Sequence, residues 1–129
     1  MKEETRKLLE KAERTLRAAE ILLREGDAES AVGRAYYAML HTAQALLRER
    51  DLRYRKHSGV HAAYGEHFAK PALLDPKFHR WMLAAFNNRL KGDYDFDAVI
   101  DSDTAALTIQ QAREFLQEAM RFVRATPAT

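Results

Sequence analysis

The apolar positions along this chain recur with a helical period from end to end. Residues 3 to 25 place Leu8, Leu9, Ala12, Leu16, Ala19, Leu22 and Leu23 on one stripe. The opposite face carries Glu3/Lys7, Glu10/Arg14 and Glu13/Arg17 at the i,i+4 spacing that supports a solvated helix. Gly26 is the expected stop and Asp27 the cap of a second helix running to about Arg50, so short a turn that the two must form an antiparallel hairpin. A third, shorter helix is expected from Ser58, as N-cap, to Lys70, with Val60, Ala63, Tyr64 and Phe68 inward and Pro71 ending it. The fourth starts near Pro76 with a heavy face of Phe78, Trp81, Met82, Ala85 and Phe86, and should fray around Gly92. The last covers about Ser102 to Val123, burying Ala105, Ile109, Ala112, Leu116, Met120 and Val123. No alternating strand pattern interrupts this series, which predicts an all-α antiparallel up-and-down bundle of four long helices and one short helix.

The second helix departs from the rest in charge. From Ser30 to Leu47 Arg34 is the only formally charged residue, in a chain whose charged content is 31%. At about 100° per residue, Val32, Ala35, Tyr36, Met39, Ala43, Leu46 and Leu47 cluster around one direction, and Arg34 and His41 point the other way. Ala31, Ala38 and Ala45 share that far side and allow a second helix to approach closely. The pattern predicts a helix buried on nearly every side, with Arg34, Tyr37 and His41 at a packed boundary. A buried Arg needs a carboxylate, and Asp93 is the first candidate.

Composition narrows the class without naming a function. A length of 129 residues suits a single domain with one core, spanning 1 to 129. No apolar run approaches a membrane span, and MKEETRKLLEKAERTLR lacks the apolar stretch of a secretory signal, so a cytoplasmic protein is expected. The absence of Cys removes disulfides, thiolate metal sites and Cys nucleophiles. Net charge is only +2, so any nucleic-acid argument must come from local patches. The best of these is the second connection, where Arg53, Tyr54, Arg55 and Lys56 follow Arg48 and Arg50: cations for phosphates and an aromatic for a base, diluted by Glu49 and Asp51.

Metal and cofactor signals are weak. His57 and His61 stand four apart, but with the helix starting at Ser58, His57 lies outside it and no third ligand is placed. Asp93, Asp95 and Asp97 imitate the start of a calcium loop, yet Ala98 replaces its glycine and Thr104 its final Glu. Asp101, Ser102 and Asp103 read as capping residues of the last helix. No metal and no cofactor are expected.

Three segments in succession, SAVGRAYYAMLHTAQALL, KHSGVHAAYGEHF and NNRLKGDYD, resemble the HEPN domain, specifically its small stand-alone branch often encoded beside minimal nucleotidyltransferases. The resemblance covers nearly the whole chain. It implies a helical bundle, usually dimeric, in many members a toxin that cuts RNA without metal, with the nucleotidyltransferase as antitoxin. The family's ribonuclease motif is an Arg followed after four to six residues by a His, the two dimer copies forming one cleft. The matching Arg is Arg89, and Tyr94, Asp95 and Phe96 stand where the His belongs. The motif is therefore degenerate, although the resemblance also marks Tyr94 as the tyrosine that some partner enzymes modify with AMP.

The resulting expectation is a HEPN-type partner of a minimal nucleotidyltransferase, binding nucleotide or RNA phosphate through Arg34, Tyr37, His41, Arg89, Asp93 and Tyr94. Two alternatives stand beside it. One is a metal-independent endoribonuclease using Arg89 with His41 or another His, in which the His moves the proton and the Arg stabilises charge on the phosphate. The other is a purely structural interaction module, in which Arg89 and Asp93 form an i,i+4 ion pair and Tyr94 packs inward. A homodimer joined through the fourth helix and the Arg89 region is expected in either functional case.

Overall fold

The structure is a computed structural model that describes residues 1–125. Five helices follow one another: α1 (Glu3–Arg24), α2 (Ala28–Glu49), α3 (His57–Tyr64), α4 (Lys77–Tyr94) and α5 (Ser102–Ala125). A π-helical turn, Gly65–Ala69, continues α3 without a break. The all-helical bundle read from the sequence is what forms, and its punctuation is largely local. Gly26 adopts a left-handed φ of +86° that few other residues tolerate, closing α1. One residue on, the Asp27 carboxylate accepts from Ser30 N at 3.1 Å and caps α2. Asp101 does the same for Thr104 N at 2.7 Å, starting α5.

α2 is the central helix. It touches α1, α3, α4 and α5, which is the physical reason for its charge-poor sequence. Val32, Ala35, Tyr36, Met39, Ala43 and Leu46 are sealed from solvent, and so are Ala31, Ala38 and Ala45 on the other side. The aromatic half of the core lies at the α3–α4–α5 end, where Phe78 stacks on Phe115 at 5.1 Å and Tyr64 on Phe68 at 5.6 Å. Each such buried side chain contributes on the order of 1.5–3 kcal/mol of hydrophobic stabilisation. Met120, expected inward on α5, is only half-buried.

Two helix ends differ from expectation. Ser58 does not cap α3. The helix starts one residue earlier, at His57, with the Lys56 carbonyl accepting from Val60 N at 3.1 Å. This puts His57 and His61 on one face, a turn apart. At the other site, α4 does not fray at Gly92 but runs on to Tyr94. A Cβ at Gly92 would come within 2.8 Å of the Glu29 side chain, so the glycine is where the start of α2 crosses the end of α4.

Candidate functional site

That crossing opens a pocket of about 620 Å³ lined by Glu29, Gly33, Arg34, Tyr37, Arg89 and Asp93, with Leu22 and Ser30 at its edge. Five of the six residues expected to bind phosphate or nucleotide therefore meet in or beside one cleft: Arg34, Tyr37, Arg89 and Asp93 line it, and the His41 ring lies 6.2 Å from that of Tyr37. Tyr94 stands apart. It is 81% exposed at the end of α4, which excludes the inward packing considered for it, and Phe96 and Val99 beyond it are bare as well.

Arg34 overturns the expectation built on the charge-poor helix. It is exposed, and no carboxylate pairs with it among the described residues. Asp93 is taken instead by Arg89, whose Nε lies 3.2 Å from its carboxylate within α4. A one-turn pair requires only local geometry, whereas reaching Arg34 would require the end of α4 to fold back. The Arg34 guanidinium lies over the Tyr37 ring at 4.6 Å, and that of Arg89 approaches the same ring at 4.9 Å. Two cations thus lie on one aromatic ring, Asp93 pairing with Arg89 and the Glu29 carboxylate also lining the cleft. The stability consequence is reversed too. In thermal melts Arg34→Ala and the surface variant Arg17→Ala should have midpoints that coincide within about 5 °C, because an exposed guanidinium contributes at most about 1 kcal/mol. A much lower midpoint for Arg34→Ala would restore a buried pair.

Behind the platform lies a polar cluster that sequence reasoning missed. The Tyr36 hydroxyl is within 3.2 Å of His57 Nδ1 and 2.8 Å of His61 Nε2. Tyr36 belongs to the apolar stripe by position, and nothing in the stripe discloses where its hydroxyl ends. The i,i+4 spacing of His57 and His61 was the available signal, but read only as a metal pair it points elsewhere. Burial lowers the pKa of His61 to about 4, with the neighbouring His57 and His79 adding to the effect. Desolvation also lowers His57, which Arg89 reinforces, and lowers His41. The His41 Nδ1 is 3.1 Å from the Gln44 amide oxygen, a hydrogen-bonding role on the cleft's flank. At neutral pH all three imidazoles are uncharged, the form that accepts a proton.

The basic connection is only partly available. Glu4 pairs with both Arg48 and Arg53, Lys2 binds Asp51, and Arg50 lies over Phe68. Arg55 and Lys56 are exposed and carry no ion pair among the described residues, with Tyr54 beside them packed along Gly59. Lys56 directly precedes His57, at the start of α3. Of the aspartates that imitate a calcium loop, Asp93 serves Arg89 and Asp95 accepts from Asp97 N at 3.1 Å. No helix among the described residues is long and apolar enough to cross a membrane.

A helical bundle with a polar cleft at the α2–α4 crossing, lined by two arginines and two carboxylates, is the setting in which the comparisons with known proteins fall. The sequence matches the HEPN domain over residues 5–123, and the chain belongs to that family. It is 33% identical over 122 residues to "Putative toxin MJ0142" of Methanocaldococcus jannaschii, covering 95% of this chain and 83% of the relative. A second protein of that organism, "Putative toxin MJ0605", is 35% identical over 95% of this chain and 86% of its own length. A UPF0332 protein of Gloeobacter violaceus is 35% identical over 95% of this chain and 98% of the relative.

Proposed function

We propose that the protein is the HEPN-type half of a toxin–antitoxin-like pair, binding the phosphates of RNA or a nucleotide between Arg34 and Arg89 and partnered by a minimal nucleotidyltransferase. The observation that carries the reading is Arg34: a guanidinium laid on the same aromatic ring as a second guanidinium, in an open cleft, with no ion-pair partner among the described residues. A phosphate gives the Arg34 guanidinium the direct partner it lacks, and the Tyr37 ring holds the receptor in place before the ligand arrives. The toxin names of two relatives accord with it. Tyr94, Phe96 and Val99 leave an apolar strip at the end of α4 that no other described residue covers, which favours a protein partner or a second copy there. Fluorescence anisotropy of a labelled single-stranded oligoribonucleotide in EDTA tests the binding. Affinity of roughly micromolar order that weakens with added salt is expected. No binding at low salt and 100-fold higher protein, roughly the top of the nonspecific range, would remove the reading.

Cleavage is the second reading, and one observation favours it. Residues 94–96 hold no His, but uncharged His41 and His57 flank Tyr37 beside Arg89. One imidazole takes the 2′-hydroxyl proton while the 2′-oxygen attacks the adjacent phosphorus. The bond from phosphorus to the 5′-oxygen breaks, that oxygen takes a proton from water, and Arg89 stabilises the charge on the phosphoryl oxygens. RNA cleavage in EDTA that disappears in Arg89→Ala supports this reading.

A further inference from the structure

The fully buried Tyr36 makes a bridge that phosphate binding does not use. A phenol has one proton to give and accepts through its oxygen, so with His61 Nε2 at 2.8 Å and His57 Nδ1 at 3.2 Å it donates to one ring and accepts from the other. The shorter contact places the donated proton on the His61 side. His57 then carries its own proton on Nδ1, directed at the Tyr36 oxygen, and a neutral imidazole holds only one. Its Nε2 is left as a bare lone pair. That atom has no hydrogen-bond partner among the described residues, and it is not among the buried polar atoms left without one, so it keeps access to solvent. The rest of the arrangement is anchored: His79 Nε2 donates to the His61 carbonyl at 3.1 Å, and the Phe86 ring packs 5.0 Å from the His61 ring and 6.5 Å from that of His57.

The groups around His57 are Tyr36, Tyr37 and His41 from α2, His61 from its own helix, and Phe86 and Arg89 from α4. Among these neighbours Arg89 is the one permanent charge. No carboxylate stands among them to convert His57 into a cation that would simply add to the anion site. A ribonucleotide bearing a 3′-phosphate carries its 2′-hydroxyl on the next ring carbon. His57 does not itself line the cleft, but its ring stands 5.6 Å from that of Tyr37, on which Arg89 lies, so the acceptor borders the place to which a phosphate held by Arg89 brings that hydroxyl.

We propose that His57 Nε2 is the acceptor that reads the ribose 2′-hydroxyl in the Arg34/Arg89 cleft, with Tyr36 and His61 as positioning residues that fix its tautomer, so that the site takes ribonucleotides in preference to deoxyribonucleotides. The proposal rests on the phosphate-binding reading of that cleft. It extends that reading from the anion to the sugar, the one feature that separates RNA from DNA at a given position.

The test measures binding of adenosine 3′-monophosphate and its 2′-deoxy analogue by calorimetry, together with imidazole ¹⁵N shifts of the labelled protein. The wild type should bind the ribonucleotide roughly threefold to tenfold more tightly, the range of one hydrogen bond, and His57 should appear as the Nδ1–H tautomer. His57→Phe should bind the two nucleotides equally while keeping affinity for the phosphate. Tyr36→Phe, which preserves the buried ring, should lose the single His57 tautomer and part of the discrimination; His67→Gln, away from the cleft, should change neither. Equal wild-type affinities, or an Nε2–H tautomer at His57, overturn the proposal while leaving the phosphate site standing. Binding of neither nucleotide overturns the phosphate reading and this proposal together.

Discussion

Lowering the pH from 7 to 5 should lower the melting midpoint by roughly 5–10 °C, before most carboxylates begin to titrate. The histidines behind the cleft set the sign. Burial holds His61 at about 4, below the ordinary 6.5 that an unfolded chain shows, and lowers His57 and His41 in the same direction. Above pH 6.5 both states are uncharged at these positions and stability is independent of pH. Below it the unfolded chain binds protons that the folded chain refuses, so stability is lost as pH falls from 6.5 towards 4. His61 contributes a slope of about 1.4 kcal/mol per pH unit in that window, about 3 kcal/mol across the whole of it, and His57 and His41 add losses of the same sign. His61 is 8% exposed, so solvent screens little of this. The exposed carboxylates with lowered values, Glu4 and Asp51 among them, add their losses only at lower pH. His61→Gln should flatten the slope between pH 6.5 and 5. Melts of the wild type that superimpose at pH 7 and pH 5 would place these imidazoles in water and dissolve the cluster around Tyr36.

What sequence periodicity discloses here, and what it does not, follows from how far each interaction reaches along the chain. The hairpin of α1 and α2 is legible because Gly26 and Asp27 act on neighbours a few residues away. The same locality decides Asp93, which pairs one turn back with Arg89. Arg34 misleads because absence of charge reports how many helices touch α2, not whether they close around it. Four do, yet the strip through Ser30, Arg34 and Tyr37 falls in the gap between them. The start of α3 is hidden for a different reason. Ser58 is a good N-cap by composition, but His57 is drawn into the helix where its ring meets Tyr36, a contact between residues 21 positions apart. The cleft residues were thus legible singly, by residue type, while the bridge behind them depends on a hydroxyl whose stripe reads as purely apolar.

Removing both guanidiniums, as Arg34→Ala with Arg89→Ala, should weaken oligoribonucleotide binding roughly 100-fold at low salt without unfolding the protein. A charge-assisted hydrogen bond to phosphate contributes about 1.5–3 kcal/mol, and about 1.4 kcal/mol is tenfold in affinity, so two such contacts carry this loss with room for partial compensation by Arg55 and Lys56. The salt dependence supplies the second signature. Each phosphate neutralised on a single strand adds about 0.7 to the slope of log affinity against log salt, so the double variant should lose about 1.4 of it. Stability gives the control. Arg34 has no carboxylate to abandon, and Asp93, left without Arg89, is 45% exposed and is solvated by water. The midpoint should therefore fall by only a few degrees. The two single variants should each lose part of the slope, since both cations lie on the Tyr37 ring and line the same cleft. If the double variant binds as tightly as the wild type with an unchanged salt slope, the nucleic acid is held elsewhere, with the exposed Arg55 and Lys56 of the second connection the first candidates. Loss of affinity at constant slope would mean that the arginines shape Tyr37 without meeting a phosphate.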